Sequence, residues 1–353
     1  MRSPARPRAL AALALPATLL PLATLAGAAW LVPAAGCRGP DLAADASPQA
    51  CADCHAEVVA EWRDSAHARA FTSPTFQAAA AQVAGVGTAG GEVPAACAAC
   101  HAPDLVVTTA PGLPAARAAR REAGVDCRAC HMDATGALVG PFAADEERLF
   151  AAHPVRKDYF LYRTSALCGS CHPRTLAETE RWGPELGGVQ PRCQECHMPA
   201  VERGLTQGAG AVRSAETALA GAVRQRRHGF GHTASGPWGQ EPVAVSWTIG
   251  RGPEGWSVEA ALVNRLPHGL PTGEKDLARY RAVLLARDGA GAELGRVERA
   301  LSLAEGSALD PGQPLRLRLS VPTRAAQAEL ELRREATSPR VVLHLARALE
   351  EGR

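Results

Sequence analysis

Ten cysteines and five histidines of this chain repeat one arrangement: Cys51-Ala52-Asp53-Cys54-His55, Cys97 and Cys100 with His101, Cys127 and Cys130 with His131, Cys168 and Cys171 with His172, and Cys193 and Cys196 with His197. Each run holds two thiols three residues apart and an imidazole directly after the second. That spacing suits covalent attachment of a c-type haem, with two thioethers to the porphyrin and one histidine on iron. A redox dithiol or a zinc ribbon needs no histidine after every second cysteine, and neither explains five runs. Of the 11 cysteines only Cys37 stands outside them. Thioether bonds to five haem c groups would leave no thiol in the runs for disulfides.

An iron with both axial positions filled carries electrons, whereas an open position permits catalysis. Beyond the five motif histidines the chain has His67, His153, His228, His232, His268 and His344. Met132 and Met198 directly follow motif histidines and cannot easily reach the opposite haem face, and Met1 belongs to the N-terminal leader. His344 lies in Val341-Val342-Leu343-His344-Leu345, on the polar face of a strand pattern, and is expected to face solvent. The other five are the candidate distal ligands, one for each iron, against the plainer reading of ordinary polar histidines. His153 precedes Pro154, His228 and His232 flank Gly229-Phe230-Gly231, and His268 sits in a loop from Asn264 to Gly273. An unbroken helix after His55 would carry His67 ~18 Å away at 1.5 Å per residue. His67 is therefore predicted to serve a haem other than the one held by Cys51 and Cys54.

The elements carrying these residues fall into two kinds. From Cys51 to about His232 the pattern is helical, with predicted helices over Glu57 to Phe71, Pro114 to Glu122, Ala143 to Ala152 and Pro173 to Trp182. Aromatic residues are few, so porphyrins are expected to supply the missing apolar surface of a loop-rich module. Residues 205–227 read as a connection. After about Pro242 the period becomes alternating: Val243, Val245, Trp247 and Ile249; Trp256, Val258, Ala260 and Leu262; Leu315, Leu317, Leu319 and Val321; Ala328, Leu330 and Leu332. About seven short strands over 242–350 predict an immunoglobulin-like β-sandwich. The expected fold class is α+β multidomain: a loop-rich helical multihaem module over 51–232, then an all-β sandwich.

Residues 1–36 carry Arg2, Arg6 and Arg8 before an uncharged Ala/Leu-rich stretch, the pattern of a secretory signal. The stretch ends at Ala34-Ala35-Gly36-Cys37, which resembles a bacterial lipoprotein cleavage box, so residues 37–50 read as a linker after a lipidated Cys37. An uncleaved anchor is the alternative, which Pro16, Pro21 and Pro33 oppose. Loss of 1–36 moves the formal net charge from +2 to −1. The chain shows no basic patch of the kind that binds nucleic acid.

The run from Cys51 to His55, followed by Glu61-Trp62-Arg63-Asp64-Ser65-Ala66-His67-Ala68, resembles the first haem segment of the cytochrome c-554 family of multihaem cytochromes. Gly124-Val125-Asp126-Cys127 to His131, Leu167-Cys168 to His172 and Cys193 to Pro199 resemble its later segments. The Asn264 to Gly273 run resembles a loop that introduces a β-sandwich in relatives, where its histidine can serve as a distal ligand. The fifth motif and the appended sandwich depart from the tetrahaem members. The resemblance implies an extracytoplasmic electron carrier in the periplasm or at the outer membrane. Its partners would be donor and acceptor cytochromes or a quinol-oxidising complex. The alternative is a multihaem reductase of a small nitrogen or sulfur oxyanion with one open haem. Pentahaem nitrite reductases typically carry a Cys-x-x-Cys-Lys run, and all five runs here end in histidine.

Overall fold

Each Cys-x-x-Cys-His run folds as a turn of helix, so the first half of the chain is a succession of short helices joined by loops. The computed structural model describes residues 47–84, 93–141, 153, 155–187, 191–204, 206–207, 222–231, 241–273, 279–335 and 340–350. Its helices α1 to α5 are Pro48–Ala52, Ala56–Arg63, Pro74–Ala84, Ala95–His101 and Cys127–His131. The parallel pair β1 (Leu138–Gly140) and β2 (Val155–Lys157) follows. Next come α6 (Tyr159–Arg163), α7 (Ala166–Gly169), α8 (Pro173–Gly187) and α9 (Cys193–His197), then the antiparallel β3 (Ala200–Gly204) and β4 (Ala222–Arg226).

Three expectations need correction. Helix α2 stops at Arg63 rather than Phe71. The Ser65 hydroxyl accepts the Ala68 N–H at 3.3 Å, a local bond that competes with helix and turns the chain. Residues 114–122 are not a helix. Asp104 N–H donates to Ala115 O and Arg117 N–H to Ala102 O, so the segment pairs with residues 102–104, and only Arg121–Ala123 makes a 3₁₀ turn. Residues 205–227 are not only a connection, since Ala222–Arg226 form β4. The predicted Ala143 to Ala152 helix lies outside the described residues, as do residues 1–46 with Cys37. Among the described residues no helix is long and apolar enough to cross a membrane.

Among the described residues the second half contains seven strands: β5 (Val243–Gly252), β6 (Gly255–Asn264), β7 (Arg279–Asp288), β8 (Glu293–Leu301), β9 (Pro314–Val321), β10 (Ala325–Glu335) and β11 (Arg340–Ala348). They form a three-stranded sheet, β5-β6-β9, and a four-stranded one, β11-β10-β7-β8, all antiparallel. Alternate residues of each face inward: Val258, Ala260 and Leu262 from the first sheet meet Ala282, Leu284, Leu330 and Leu332 from the second in one core. The turn into β6 requires Gly255. Its φ is +142°, and a Cβ there would stand 2.1 Å from Val321 O.

The outer face of the four-stranded sheet is unusual. Val283 and Leu285 point away from the core, yet both are fully buried. Their cross-strand neighbours are Glu331 and Glu329 on one side and Glu298 and Arg296 on the other. These carboxylates pair with Arg281, Arg287, Arg296 and Arg333, and the long side chains close over the apolar pair. His344 lies at the margin of this network, half exposed and 3.7 Å from Glu329.

Candidate metal centre

The five runs present their side chains in one way. In the first, His55 N–H donates to Cys51 O at 2.8 Å, and in the fourth His172 N–H donates to Cys168 O at 2.9 Å. The other three runs lie in α4, α5 and α9. A helical turn brings residues i, i+3 and i+4 to the same side, so both thiols and the imidazole of each run point together. Asp126 caps α5 by accepting the Ala129 N–H at 3.1 Å. Its carboxylate is buried and held by a bidentate pair with Arg117, at 2.8 and 2.7 Å.

Different runs also touch one another. The Cys127 thiol lies beside that of Cys51, Cys168 beside Cys193, and Cys171 beside Cys100. Cys130 is near both Cys168 and Cys171. The runs therefore form one contiguous cluster, with the fourth at its centre.

Four motif histidines each face a second histidine. Ring centroids are 6.5 Å apart for His55 and His153, 6.3 Å for His67 and His172, 6.1 Å for His131 and His228, and 6.4 Å for His197 and His268. An imidazole nitrogen bonds a metal at about 2.0–2.1 Å and lies about 1.1 Å from its ring centre, so two imidazoles on opposite sides of one metal have centroids about 6.3 Å apart. The residues thus fit a metal held between each pair.

Tautomers agree with this spacing. The Nδ1 atoms of His101, His131, His228 and His268 lie 2.8–3.0 Å from the carbonyl oxygens of Ala70, Val139, Arg226 and Gly269. A carbonyl can only accept, so Nδ1 carries the proton and Nε2 keeps its lone pair, the second-sphere pattern of metal-bound histidine. Burial, and then the neighbouring His172 and His197, hold the His67 pKa down at about 4. Burial and the neighbouring His131 do the same for His228, again to about 4. Both rings are neutral donors at pH 7. The buried Nδ1 of His67 has no hydrogen-bond partner among the described residues.

Residues distant in sequence hold these distal rings. Gly124, at φ +62°, brings its Cα against the backbone of His67, where a Cβ would stand 2.4 Å from His67 O. Val125 N–H donates to that same oxygen, and Trp62 Nε1 donates to Val125 O at 2.8 Å. Glu61 accepts the His228 N–H at 2.8 Å and pairs with Arg203 and Arg227, each at 3.0 Å. Phe230, with φ +50°, sets its ring edge-on to His67 at 4.2 Å. A positive φ is costly for so bulky a residue, by about 1–3 kcal/mol, and persists where packing dictates it. Tyr162 stacks on His131 and donates its hydroxyl to Cys130 O.

His55 and His67 are thus not neighbours, although the unbroken helix assumed between them ends at Arg63. His101 stacks on Phe76 at 3.8 Å, and among the described residues no histidine ring faces it across such a gap. His232 lies outside the described residues. Met132 is buried in the helical half, with its backbone bridged to Leu138.

The first three runs can be compared directly with a known family. Residues 50–132 match cytochrome c554 and c-prime. The matched segment spans the runs from Cys51 to His131, together with His67, Gly124 and Asp126. The penta-haem cytochrome c552 of Thermochromatium tepidum shares the fold at 20% identity and a TM-score of 0.60, covering 86% of this chain and 98% of that one. That likeness extends past the matched segment and into the strands. The Escherichia coli curli protein CsgC overlaps 31% of this chain and 99% of its own length at 12% identity and a TM-score of 0.18. No curated protein matches the chain.

Proposed function

We propose that the protein is an extracytoplasmic pentahaem cytochrome passing single electrons between respiratory partners, its ten motif cysteines carrying five haem c groups. Four irons would be ligated by His55 and His153, His67 and His172, His131 and His228, and His197 and His268. The observation carrying this reading is the uniform 6.1–6.5 Å spacing of those ring pairs. Bound haem supplies a one-electron change of iron valence. The polypeptide fixes ring orientation through the carbonyls on Nδ1, and these raise the basicity of the ligating nitrogen. With no methionine ligand to raise potential, this set suits low-potential anaerobic respiration. Thiol contacts between runs bring attachment points together, as a relay requires. Export through residues 1–36, anchorage at Cys37 and redox-protein partners belong to this proposal.

The test uses purified protein. Five haem equivalents per chain by pyridine haemochrome assay, only low-spin ferric EPR signals and no CO uptake after reduction are expected. Appreciably fewer than five equivalents would overturn it. His67→Ala should make one haem high-spin, identified by NMR contacts of its methyl groups with the thioether protons of Cys168 and Cys171. Contacts with Cys51 and Cys54 instead would reject the pairing.

The alternative, reduction of a small nitrogen or sulfur oxyanion, attaches to His101, whose ring packs on Phe76. A wild-type haem that is high-spin and takes CO, traced to Cys97 and Cys100, would favour that reading.

A further inference from the structure

We propose that Glu178 is a positioning residue for the sixth ligand of the haem attached at Cys193 and Cys196, and that through it the seven-stranded half serves as a ligand donor latched to the haem-bearing half. This rests on the ligation by His197 and His268 proposed above.

His268 belongs to the loop that leaves β6. On the strand side Asn264, fully buried, closes that loop. Its amide donates to His268 O at 2.8 Å and to Leu309 O at 2.9 Å, and its oxygen accepts the Leu266 N–H at 2.9 Å. On the helical side the loop meets α8, which begins directly after His172. Glu178 Oε2 accepts the Gly269 N–H at 3.1 Å and the Thr272 hydroxyl at 2.7 Å. Its other oxygen accepts from Arg174 Nε at 3.1 Å, and the hydroxyls of Thr175 and Thr272 lie 3.0 Å apart.

The Gly269 residue links this carboxylate to the imidazole. Its N–H binds Glu178, and its carbonyl accepts from His268 Nδ1 at 3.0 Å. Fixing Gly269 therefore fixes the plane of the ring and keeps Nε2 aimed at His197. A hydrogen bond to an ionised carboxylate is stronger than one between neutral groups. The side chain is mostly buried, at 15% exposure, so little water competes for it. Among the described residues the helical half makes no other hydrogen bond to Gly269.

The experiment compares holoprotein with His268→Ala, Glu178→Ala, Glu178→Gln and Thr272→Val, reading ferric EPR and CO uptake after reduction. His268→Ala should add one CO equivalent per chain over wild type. Glu178→Ala should open the same haem in part, with a fractional CO equivalent and a high-spin signal. Thr272→Val should show a smaller opening, and Glu178→Gln, whose amide oxygen still accepts, should return close to wild type. A general loss of fold would open several haems at once, so CO uptake limited to the one equivalent opened by His268→Ala separates it from loss of this ligand. If His268→Ala opens a haem while Glu178→Ala and Thr272→Val match wild type, the positioning role is wrong. If His268→Ala changes nothing, the ligation itself is wrong, and the latch falls with it.

Discussion

Produced without covalent haem attachment, the chain is expected to yield to protease throughout residues 47–231 while residues 243–350 survive as a resistant fragment. The reason lies in what each half buries. In the helical half the buried apolar residues include Val59, Phe76, Val106, Val139 and Leu161, but Ala80, Ala98, Ala99, Ala102 and Ala129 make up much of the rest. An alanine methyl removes little surface from water, and burial contributes only about 25 cal/mol per Å². Ten cysteines are partly buried there as well. The strand half packs Leu262, Leu284, Leu330, Leu332 and their neighbours into a continuous core. Porphyrin must therefore stabilise the first half and not the second. Limited proteolysis with mass spectrometry, on chain made in a host without cytochrome c maturation, is the check. Survival of residues 47–231 would show that the helical half stands without cofactor.

Loss of Arg117 should be the most damaging single change away from the histidines. Its guanidinium is 4% exposed and uses Nε on Pro103 O, Nη1 on Arg120 O, and both terminal nitrogens on Asp126. Arg117→Ala would leave the Asp126 carboxylate buried without its partner, and breaking a buried pair from one side costs about 3–5 kcal/mol. Lysine should rescue little, because a point charge cannot reproduce the planar fork. Removing both partners should cost less than the two single losses combined. The pH dependence has a definite sign. Burial already pushes the Asp126 carboxyl above its ordinary pKa, with Arg117 pulling it back. Without the arginine the rise is larger, so the folded state favours the protonated acid. The variant's deficit should be smallest below pH 4 and grow as pH rises through the shifted pKa. Urea unfolding of holoprotein followed by the Soret band measures both effects; a deficit that does not vary with pH would contradict the assignment to Asp126.

Arg117 also shows where sequence patterns mislead. Residues 114–122 are rich in alanine and arginine, among the best helix formers, so local propensity favours helix there. The buried pair with Asp126 and the backbone bonds to residues 102–104 override it, and none of those partners lies within one helical turn. The opposite holds for the five runs, since thioether attachment requires a fixed local spacing that can be read directly. Strands β5, β6, β9 and β10 were equally legible, because one face is apolar and the other polar. β7 was not, because Val283 and Leu285 are buried on its second face as well, which erases the alternation. Glu61, Gly124 and Glu178 act on histidines far along the chain or on another element. The first two stood out only within a family resemblance, and nothing local distinguishes a glutamate on a surface helix from one that holds a loop.

The order of the facing rings along the chain bears on biogenesis. His67 precedes the run it faces, but His153, His228 and His268 all follow theirs. On the proposed ligation, a polypeptide secreted from its N-terminus would present the runs ending at His55, His131 and His197 before the residues that would cap those irons. Premature termination between the last run and residue 268 would then release a pigmented but coordinatively unsaturated product, open to whatever small ligands the compartment contains.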